Sequence, residues 1–275
     1  MIESAPIRFG SLTLQPVSDG VLWLPAKSVF PDAPEAEWRP HVHLDDQDRI
    51  EMALTCLLVH VGERRILLDT GFGPRPDNRM VGRLSESLAE LDIASDSIDT
   101  VVISHPHADH IGGATRGTGD DAQPAFPSAR YWLSQTDWDA FSPPEALAQR
   151  AGLADKLLPL RSAERLDLAD GEQEIAPGVR LLPLPGHTPG HMGVAFIAGQ
   201  EMAIYVGDMI HHPLQVEHPE WTPVFDSLPA MARSTRMALL ERARRDRSLI
   251  LSYHFPWPGI GRIGASWEPA TAPDR

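Results

Sequence analysis

Short apolar runs recur along the chain and predict β-strands. The runs lie at residues 12–17, 53–61, 65–69, 100–104, 130–134, 179–184, 192–198, 202–206 and 249–253. Several are continuously apolar, which is typical of strands buried on both faces. Between them, residues 82–91, 144–158 and 227–245 have helical character, and Leu84, Leu88 and Leu91 form one apolar stripe of the first helix. Strands mixed with helices over this length predict an α/β architecture, with two sheets and helices packed outside them.

The chain shows no Ser/Gly-rich linker and no charge run that would divide it, so we expect one domain over residues 1–275. Two domains of about 140 residues are the alternative that length alone leaves open. Residues 25–50 carry four prolines and predict an extended, irregular excursion. Long loops of this kind often cover a functional site.

Charge and cysteine content narrow the class of protein. The formal net charge of −14 repels phosphate backbones and anionic lipid, which argues against nucleic acid and membrane surfaces as partners. The basic stretch at residues 233–247 is interrupted by Glu241 and Asp246 and is interpreted as a solvated helix face. No signal peptide or membrane span is expected from the apolar runs. Cys56 is the single cysteine and cannot form an internal disulfide, so we expect a cytoplasmic protein.

A cluster of four potential metal ligands directly follows the apolar run that ends at Ile103. In extended backbone, residues i and i+2 point the same way, so His105 and His107 can converge on one metal ion. A tight turn beyond them would redirect Asp109 and His110 elsewhere. Imidazole and carboxylate suit Zn²⁺ at about 2.0–2.2 Å. The cluster therefore predicts two adjacent metal sites, and a solvated histidine-rich loop is the alternative.

Three further strand ends carry polar residues of the same kind. His187 lies in a loop of glycines and prolines at residues 185–190, which would project its imidazole. Asp208 and His254 each follow an apolar run, and each alone would more often be an ordinary polar residue. His191 precedes another predicted strand and is interpreted as a histidine that supports a ligand, with direct metal ligation as the alternative. Taken together, four strand ends each deliver a ligand.

The order and spacing of these motifs resemble the metallo-β-lactamase superfamily. The motifs are the His-x-His-x-Asp-His cluster, the Gly-His-Thr-Pro-Gly-His loop, Gly207-Asp208 and His254. The collinear motifs span residues 53–264. The resemblance implies a four-layer αββα sandwich that holds two Zn²⁺ ions, with Fe, Mn or Co as other metals that such ligands accept. It assigns one metal to His105, His107 and His187, the second to Asp109, His110 and His254, and a bridging position to Asp208. It also implies that Asp69 orients a ligand histidine.

Departures from individual branches refine the expected function. Zinc β-lactamases usually supply a cysteine to the second metal, but Cys56 lies upstream of the histidine cluster. Thioester hydrolases of the glyoxalase II group add a helical C-terminal domain, whereas 21 residues follow His254 here, which disfavours that group. Residues 207–211 and 252–261 resemble the methyl parathion hydrolases and their lactonase-like relatives, which open lactones or cleave phosphotriesters. Homoserine lactonases often place a tyrosine soon after the bridging aspartate, but residues 209–213 of this chain contain none. We therefore rank a specialist for homoserine lactones below a broader lactone or ester hydrolase.

We therefore predict a dinuclear zinc hydrolase that opens lactones or cleaves esters of small hydrophobic substrates. Phosphotriester hydrolysis is the main alternative, and a thioester hydrolase, a nuclease and a non-catalytic metal-binding or ligand-sensing protein are weaker ones. Asp208 and Asp109 are the expected catalytic carboxylates, with Asp109 able to move a proton. His211 is expected to contact the substrate or support a ligand. Trp138, Phe225, Phe255 and Trp257 are candidates for an apolar pocket. Related enzymes are commonly homodimers, which is the oligomeric state that the resemblance suggests.

Overall fold

The computed structural model describes residues 5–75 and 77–270, in which strands and helices alternate. The strands are β1 (Ile7–Phe9), β2 (Leu12–Pro25), β3 (Arg49–Val61), β4 (Arg64–Leu68), β5 (Thr100–Val102), β6 (Thr115–Arg116), β7 (Gln123–Pro124), β8 (Arg130–Ser134), β9 (Leu166–Ala169), β10 (Gln173–Ala176), β11 (Val179–Pro183), β12 (Met192–Ala198), β13 (Glu201–Tyr205), β14 (Leu249–Leu251), β15 (Ile260–Ile263) and β16 (Trp267–Pro269).

The α-helices are α1 (Ala26–Val29), α2 (Glu35–Trp38), α3 (Leu84–Glu90), α4 (Ala108–Ile111), α5 (Gln135–Phe141), α6 (Pro144–Ala148), α7 (Ala154–Ser162) and α8 (Pro229–Asp246). Short 3₁₀ helices lie at Arg39–His41, Ser95–Ser97, Gly119–Asp121, Gly207–Met209 and Pro213–Val216. Among the described residues, no helix combines the length and the apolar content that a membrane span needs.

Two seven-stranded sheets carry the fold. The first has the strand order β1-β2-β3-β4-β5-β8-β9, and the second has the order β10 to β16. In the first sheet the pairs from β1 to β4 are antiparallel and those from β4 to β9 are parallel. In the second sheet only β13 and β14 pair in parallel. Strands β6 and β7 form a separate ribbon.

The two sheets share a hydrophobic core, and helices cover them from outside. Alternation along β13 shows this directly, because successive side chains of a strand point to opposite faces. Ala203 and Tyr205 belong to the core cluster that also contains Leu57 and Val101 of the first sheet. Ile204 instead packs with residues of α8 in a separate cluster. Helices α3 and α5 pack against strands of the first sheet. The layers are therefore helix, sheet, sheet and helix.

The predicted helix over residues 144–158 is two helices, which corrects that expectation. Helix α6 ends at Ala148 and α7 begins at Ala154, with Gly152 at φ +78° between them. A positive φ is costly for residues with a side chain but open to glycine, and it breaks the helical path here. The stripe predicted for residues 82–91 is also shorter, because α3 ends at Glu90 and Leu91 is 40% exposed.

The excursion predicted for residues 25–50 is partly regular. Strand β2 continues to Pro25, and helices α1 and α2 follow before β3 begins at Arg49. Phe30 and Trp38 are buried and stack at 5.5 Å, and Phe30 also meets Trp221 edge-on at 5.6 Å. This segment therefore has its own hydrophobic cluster, which ties it to the loop that precedes α8.

Candidate metal centre

The sheet topology places four strand ends at one edge of the sandwich. Strand β11 runs antiparallel to β12, β12 runs antiparallel to β13, and β13 runs parallel to β14. Strands β11, β13 and β14 therefore end on the same side, where they lead to His187, Asp208 and His254. The loop after β5 meets this edge, because the Met192 amide donates to the carbonyl of Ser104 at 2.9 Å.

Three imidazole nitrogens converge in the first half of the site. His105 Nε2 lies 2.9 Å from His107 Nδ1, and His187 Nε2 lies 3.2 and 3.0 Å from these two atoms. A tetrahedral zinc ion with bonds of about 2.0–2.1 Å needs ligand nitrogens roughly 3.3 Å apart. The spacing of these atoms fits such an ion, and Asp208 completes the group.

The second half of the site consists of Asp109, His110 and His254, and Asp208 faces both halves. Asp208 Oδ2 lies 3.3 Å from His187 Nε2. Its other oxygen, Oδ1, lies 3.1 Å from His110 Nε2 and 3.4 Å from His254 Nε2. The one carboxylate therefore offers an oxygen to each half, which is the arrangement a bridging ligand requires.

Hydrogen bonds on the far side of each ring fix which nitrogen faces the centre. The Nδ1 atoms of His110, His187 and His254 donate to Asp69 Oδ2 at 2.8 Å, Asp226 Oδ1 at 2.9 Å and the Ala53 carbonyl at 3.0 Å. His105 Nδ1 lies 3.0 Å from Ser104 Oγ, which itself donates to Asp69 and so accepts from the ring. In the neutral form of these four rings the proton is held on Nδ1 and the Nε2 lone pair faces the centre, as metal ligation needs, whereas His107 faces the centre with its Nδ1.

Electrostatics differ between the two halves. Burial lowers the pKa of His107 and of His187 to about 4, so both imidazoles are neutral at pH 7. Burial also acts on His254, but the carboxylates of Asp208 and Asp109 outweigh it and raise its pKa to about 9. Burial disfavours the charge of Asp208, yet His110 and His254 keep its pKa well below the usual range. The second half therefore favours positive charge.

Unpartnered polar atoms support metal binding by these residues. His110 Nε2 and Asp208 Oδ1 are buried and lie 3.1 Å apart, yet neither makes a well-aligned hydrogen bond with any described residue, although a buried polar atom is normally paired. Both atoms point into the space between the two halves. Imidazole and carboxylate donors in this number suit a divalent metal such as zinc, so the residues present fit the metals that the sequence predicted.

His191 supports Asp208 and has no nitrogen free for a metal. Its Nδ1 donates to the Leu184 carbonyl at 3.1 Å, and its Nε2 accepts from the backbone amide of Asp208 at 3.0 Å. Gly207 makes this contact possible, because it adopts φ +50° and a Cβ there would lie 2.7 Å from His191 Nε2. The strand-to-turn junction before Asp208 therefore depends on a glycine.

The predicted pocket residues are distributed unevenly around the site. Phe225 lies 5.9 Å from the ring of His211 and borders the centre. Trp257 is half-buried in the loop after His254, and Trp138 packs beside Arg161 on the first sheet's side. Phe255 is fully buried and meets Trp267 edge-on at 4.8 Å in the core cluster under α8. Phe255 is therefore a core residue and not a pocket residue, which corrects that expectation.

Several supporting residues escaped the sequence analysis. Asp226 holds His187 and is itself held by the fully buried Arg236, whose Nη2 donates to Asp226 Oδ2 at 2.9 Å. Tyr205 donates to Asp69 at 2.8 Å. Asp19 accepts the backbone amides of Phe72, Gly82 and Leu84 and so fixes the loop after β4. None of these residues stands in a motif. For the charged ones, the one available signal is a single charged residue among apolar neighbours in the sequence.

Substitution of Asp69 by asparagine should lower the affinity for metal about 10–100-fold. Asp69 is fully buried and accepts hydrogen bonds from the Ser104 amide, the Ser104 hydroxyl, Tyr205 and His110. An asparagine amide would present a donor to these donors, and His110 would lose the contact that orients it. Titration of metal-depleted protein against a chelator of known affinity measures the change. The exposed substitution Asp96→Asn is the matched control and should leave the affinity unchanged.

Comparison with known proteins identifies the family. The family model of the metallo-beta-lactamase superfamily matches residues 51–254. A probable metallo-hydrolase of Mycobacterium bovis is 28% identical over 211 residues, which is 66% of this chain and 66% of that protein. The match therefore spans just under two thirds of that relative. An N-acyl homoserine lactonase of Bacillus thuringiensis is 22% identical over 223 residues, or 74% of this chain and 82% of the lactonase.

Solved structures support the same assignment. The crystal structure of the hydrolase AbOPH of the beta lactamase superfamily superposes with a TM-score of 0.87 at 21% identity, covering 98% of this chain and 99% of the other. AidC, described as a dizinc quorum-quenching lactonase in complex with a product, superposes with a TM-score of 0.83 at 26% identity over 97% of each chain. The predicted αββα sandwich and the predicted family are both confirmed. The chain belongs to the metallo-beta-lactamase superfamily.

Proposed function

We propose that the protein is a metal-dependent hydrolase that opens lactones or cleaves esters. It would use two divalent metal ions, for which zinc is our first choice. The observation that carries this proposal is the position of Asp208, which offers one oxygen to each of two groups of three ligands. Binding alone would not need two metals that share a carboxylate. The similarity to lactonases supports the choice of reaction.

For the ligands we propose the division that the family resemblance implies. We assign one metal to His105, His107 and His187, and the second to Asp109, His110 and His254, with Asp208 between them. When bound, such a pair of ions supplies an ionised water at neutral pH and polarises the carbonyl oxygen of the substrate. The burial of all these ligands except the partly exposed His107 and Asp109 keeps bulk water away from the reacting atoms.

His211 is the residue that we assign to the substrate. It is buried, and neither of its ring nitrogens makes a hydrogen bond with a residue that the structure describes. Its Nε2 lies 3.3 Å from Asp208 Oδ2, and its ring stacks on His254 at 5.6 Å. A nitrogen in this position can donate a hydrogen bond to an oxygen of the substrate next to the bond that breaks.

Asp109 is the residue that we assign to proton movement. Its carboxylate lies 3.5 Å from His110 Nε2 and 3.4 Å from His254 Nε2, yet 16% of the side chain remains exposed. It can therefore take up a proton from the attacking water and deliver it to the departing alkoxide. In balance, the water oxygen joins the carbonyl carbon, the carbon–oxygen single bond breaks, and the alkoxide takes the proton; an ester then releases an alcohol, whereas a lactone opens to one hydroxy acid.

Removal of metal should abolish hydrolysis, and its return should restore it. The experiment combines elemental analysis of the purified protein with assays on a lactone, an aryl ester, a thioester and a phosphotriester, before and after dialysis against a chelator. We expect about two metals per chain, activity on the lactone or the aryl ester, and recovery with zinc. A chain that binds no metal would refute the proposal. Full metal content without turnover on any of the four substrates would refute the proposed reaction and leave the metal sites standing.

A further inference from the structure

A cavity of about 450 Å³ opens beside the first half of the metal centre. Its wall includes His107 together with the neighbouring Pro106 and Ala108, so a molecule in the cavity touches the loop that carries the ligands. The lining also includes residues of the loop after β4 and of the segment that joins α6 to α7. The cavity is therefore placed to receive the part of a substrate that extends away from the bond that breaks.

Three cationic side chains line this cavity, although the chain as a whole carries a net charge of −14. They belong to Arg75, Arg150 and Lys156. Asp155 is the one acidic residue among the described lining residues, and its Oδ1 already accepts the Gly119 amide at 3.0 Å. The charge that faces the cavity is therefore positive.

None of the three cations forms an ion pair within residues 5–75 and 77–270. Arg39, Arg49 and Arg130, in contrast, each pair with an aspartate. Lys156 is half-buried, and its pKa is lowered by burial and by the charge of Arg75, against an opposing effect of Asp155. Like charges held together repel each other, and a bound anion would relieve that repulsion.

Aromatic rings hold the two guanidinium groups in place. Arg75 Cζ lies 5.5 Å from the ring centre of Phe72, and Arg150 Cζ lies 4.5 Å from that of Phe141. The Phe141 ring in turn lies 6.4 Å from the ring of His107. Arg150 Nη1 donates to the Ala146 carbonyl at 3.1 Å, and a guanidinium over a ring leaves its remaining edge N–H groups available to a planar carboxylate. Ile111 and Leu153 add apolar wall between the charges.

We propose that this cavity binds a carboxylate on the distal end of the substrate, so that the preferred ester or lactone carries an anionic group separated from the scissile bond by an apolar stretch. This inference rests on the proposed hydrolase function. Arg75, Arg150 and Lys156 supply the charge-assisted hydrogen bonds, and the apolar wall receives the methylene groups between the two ends.

A matched pair of aryl esters tests the proposal on the metal-loaded protein. The 4-nitrophenyl ester of hexanoic acid and the mono-4-nitrophenyl ester of adipic acid have the same chain length, but only the second ends in a carboxylate. We expect kcat/KM for the adipate ester to exceed that for the hexanoate ester by about tenfold or more, since a hydrogen bond to a charged group contributes that much. Arg150→Gln and Lys156→Gln should each reduce this ratio, mainly through KM.

Arg161→Gln is the matched control, because Arg161 lies on the same helix as Lys156 but outside the cavity wall. It should leave the ratio unchanged. Calorimetric titration of the same proteins with adipate and with hexanoate measures the affinity of the cavity for each acid in the absence of turnover. Equal binding of the two acids by the wild type, or a preference that survives both substitutions, would overturn the proposal. Tighter binding of adipate without hydrolysis of either ester would keep the anion site, and the four-substrate panel would then decide separately whether the proposed hydrolase function fails.

Discussion

Replacement of Asp208 by alanine should lower kcat/KM by at least about 10³-fold on whichever ester or lactone the protein hydrolyses. The carboxylate contacts both halves of the centre, and its loss removes a ligand from each of them. Metal ions contribute several kcal/mol of charge stabilisation in the transition state, and each 1.4 kcal/mol corresponds to a factor of ten in rate. Steady-state kinetics with elemental analysis of the same samples would measure both losses.

Two further substitutions calibrate this result. Asp208→Asn keeps the shape and one carbonyl oxygen, so its activity should lie between those of the wild type and the alanine variant. Asp167→Ala removes a carboxylate from the surface, where Asp167 pairs with Arg130, and should leave metal content and activity unchanged. An alanine variant at position 208 that retained two metals and full turnover would rule out the bridging role of this carboxylate.

Replacement of Arg236 by methionine should lower the free energy of unfolding by about 3–5 kcal/mol, the cost of breaking a buried ion pair. Arg236 is fully buried and pairs with Asp226 at 2.9 Å. Its other donors reach the carbonyls of Met209, Pro219 and Trp221. Methionine would leave the Asp226 carboxylate without its cation. For a chain of this size the change corresponds to a fall of roughly 6–20 °C in Tm, which calorimetry would detect.

The exposed Arg233→Met on the same helix is the matched control and should change the unfolding free energy by less than about 0.5 kcal/mol. A second readout separates positioning from stability alone. Asp226 orients His187, so Arg236→Met should also weaken metal binding at temperatures where the protein remains folded. Unchanged stability and unchanged metal affinity together would show that other contacts hold the segment from Met209 to Asp226.

The convergence of the candidate ligands could be predicted, because each group of them follows an apolar run in the sequence. Strands that run in the same direction end at the same edge of a sheet. Three separate strand predictions therefore placed His187, Asp208 and His254 at strand ends that can meet. The structure brings these residues within reach of His105 and His110. The division of Asp208 between the two halves came from the family resemblance, since spacing alone does not fix the direction of a carboxylate.

The supporting contacts could not be predicted, because they join segments with no local pattern. Arg236 stands in a basic stretch that was interpreted as a solvated face, and only the fold shows that this one arginine points inward to Asp226. Phe255 adjoins a ligand in sequence but turns to the opposite face of its segment and enters the core. Neighbourhood in sequence is a poor guide to which side of a strand end faces a cavity.

The proposed metal centre takes its candidate ligands from loops of both sheets, so metal binding would also affect how firmly the two sheets are held together. His105, His107, Asp109 and His110 follow the first sheet, whereas His187, Asp208 and His254 follow the second. A bound ion would therefore act as a cross-link between the two sheets, which are otherwise joined mainly by apolar packing. By mass action, metal at a thousand times its dissociation constant adds about 4 kcal/mol to stability. The metal supply would then govern how long the protein survives as well as whether it turns over substrate.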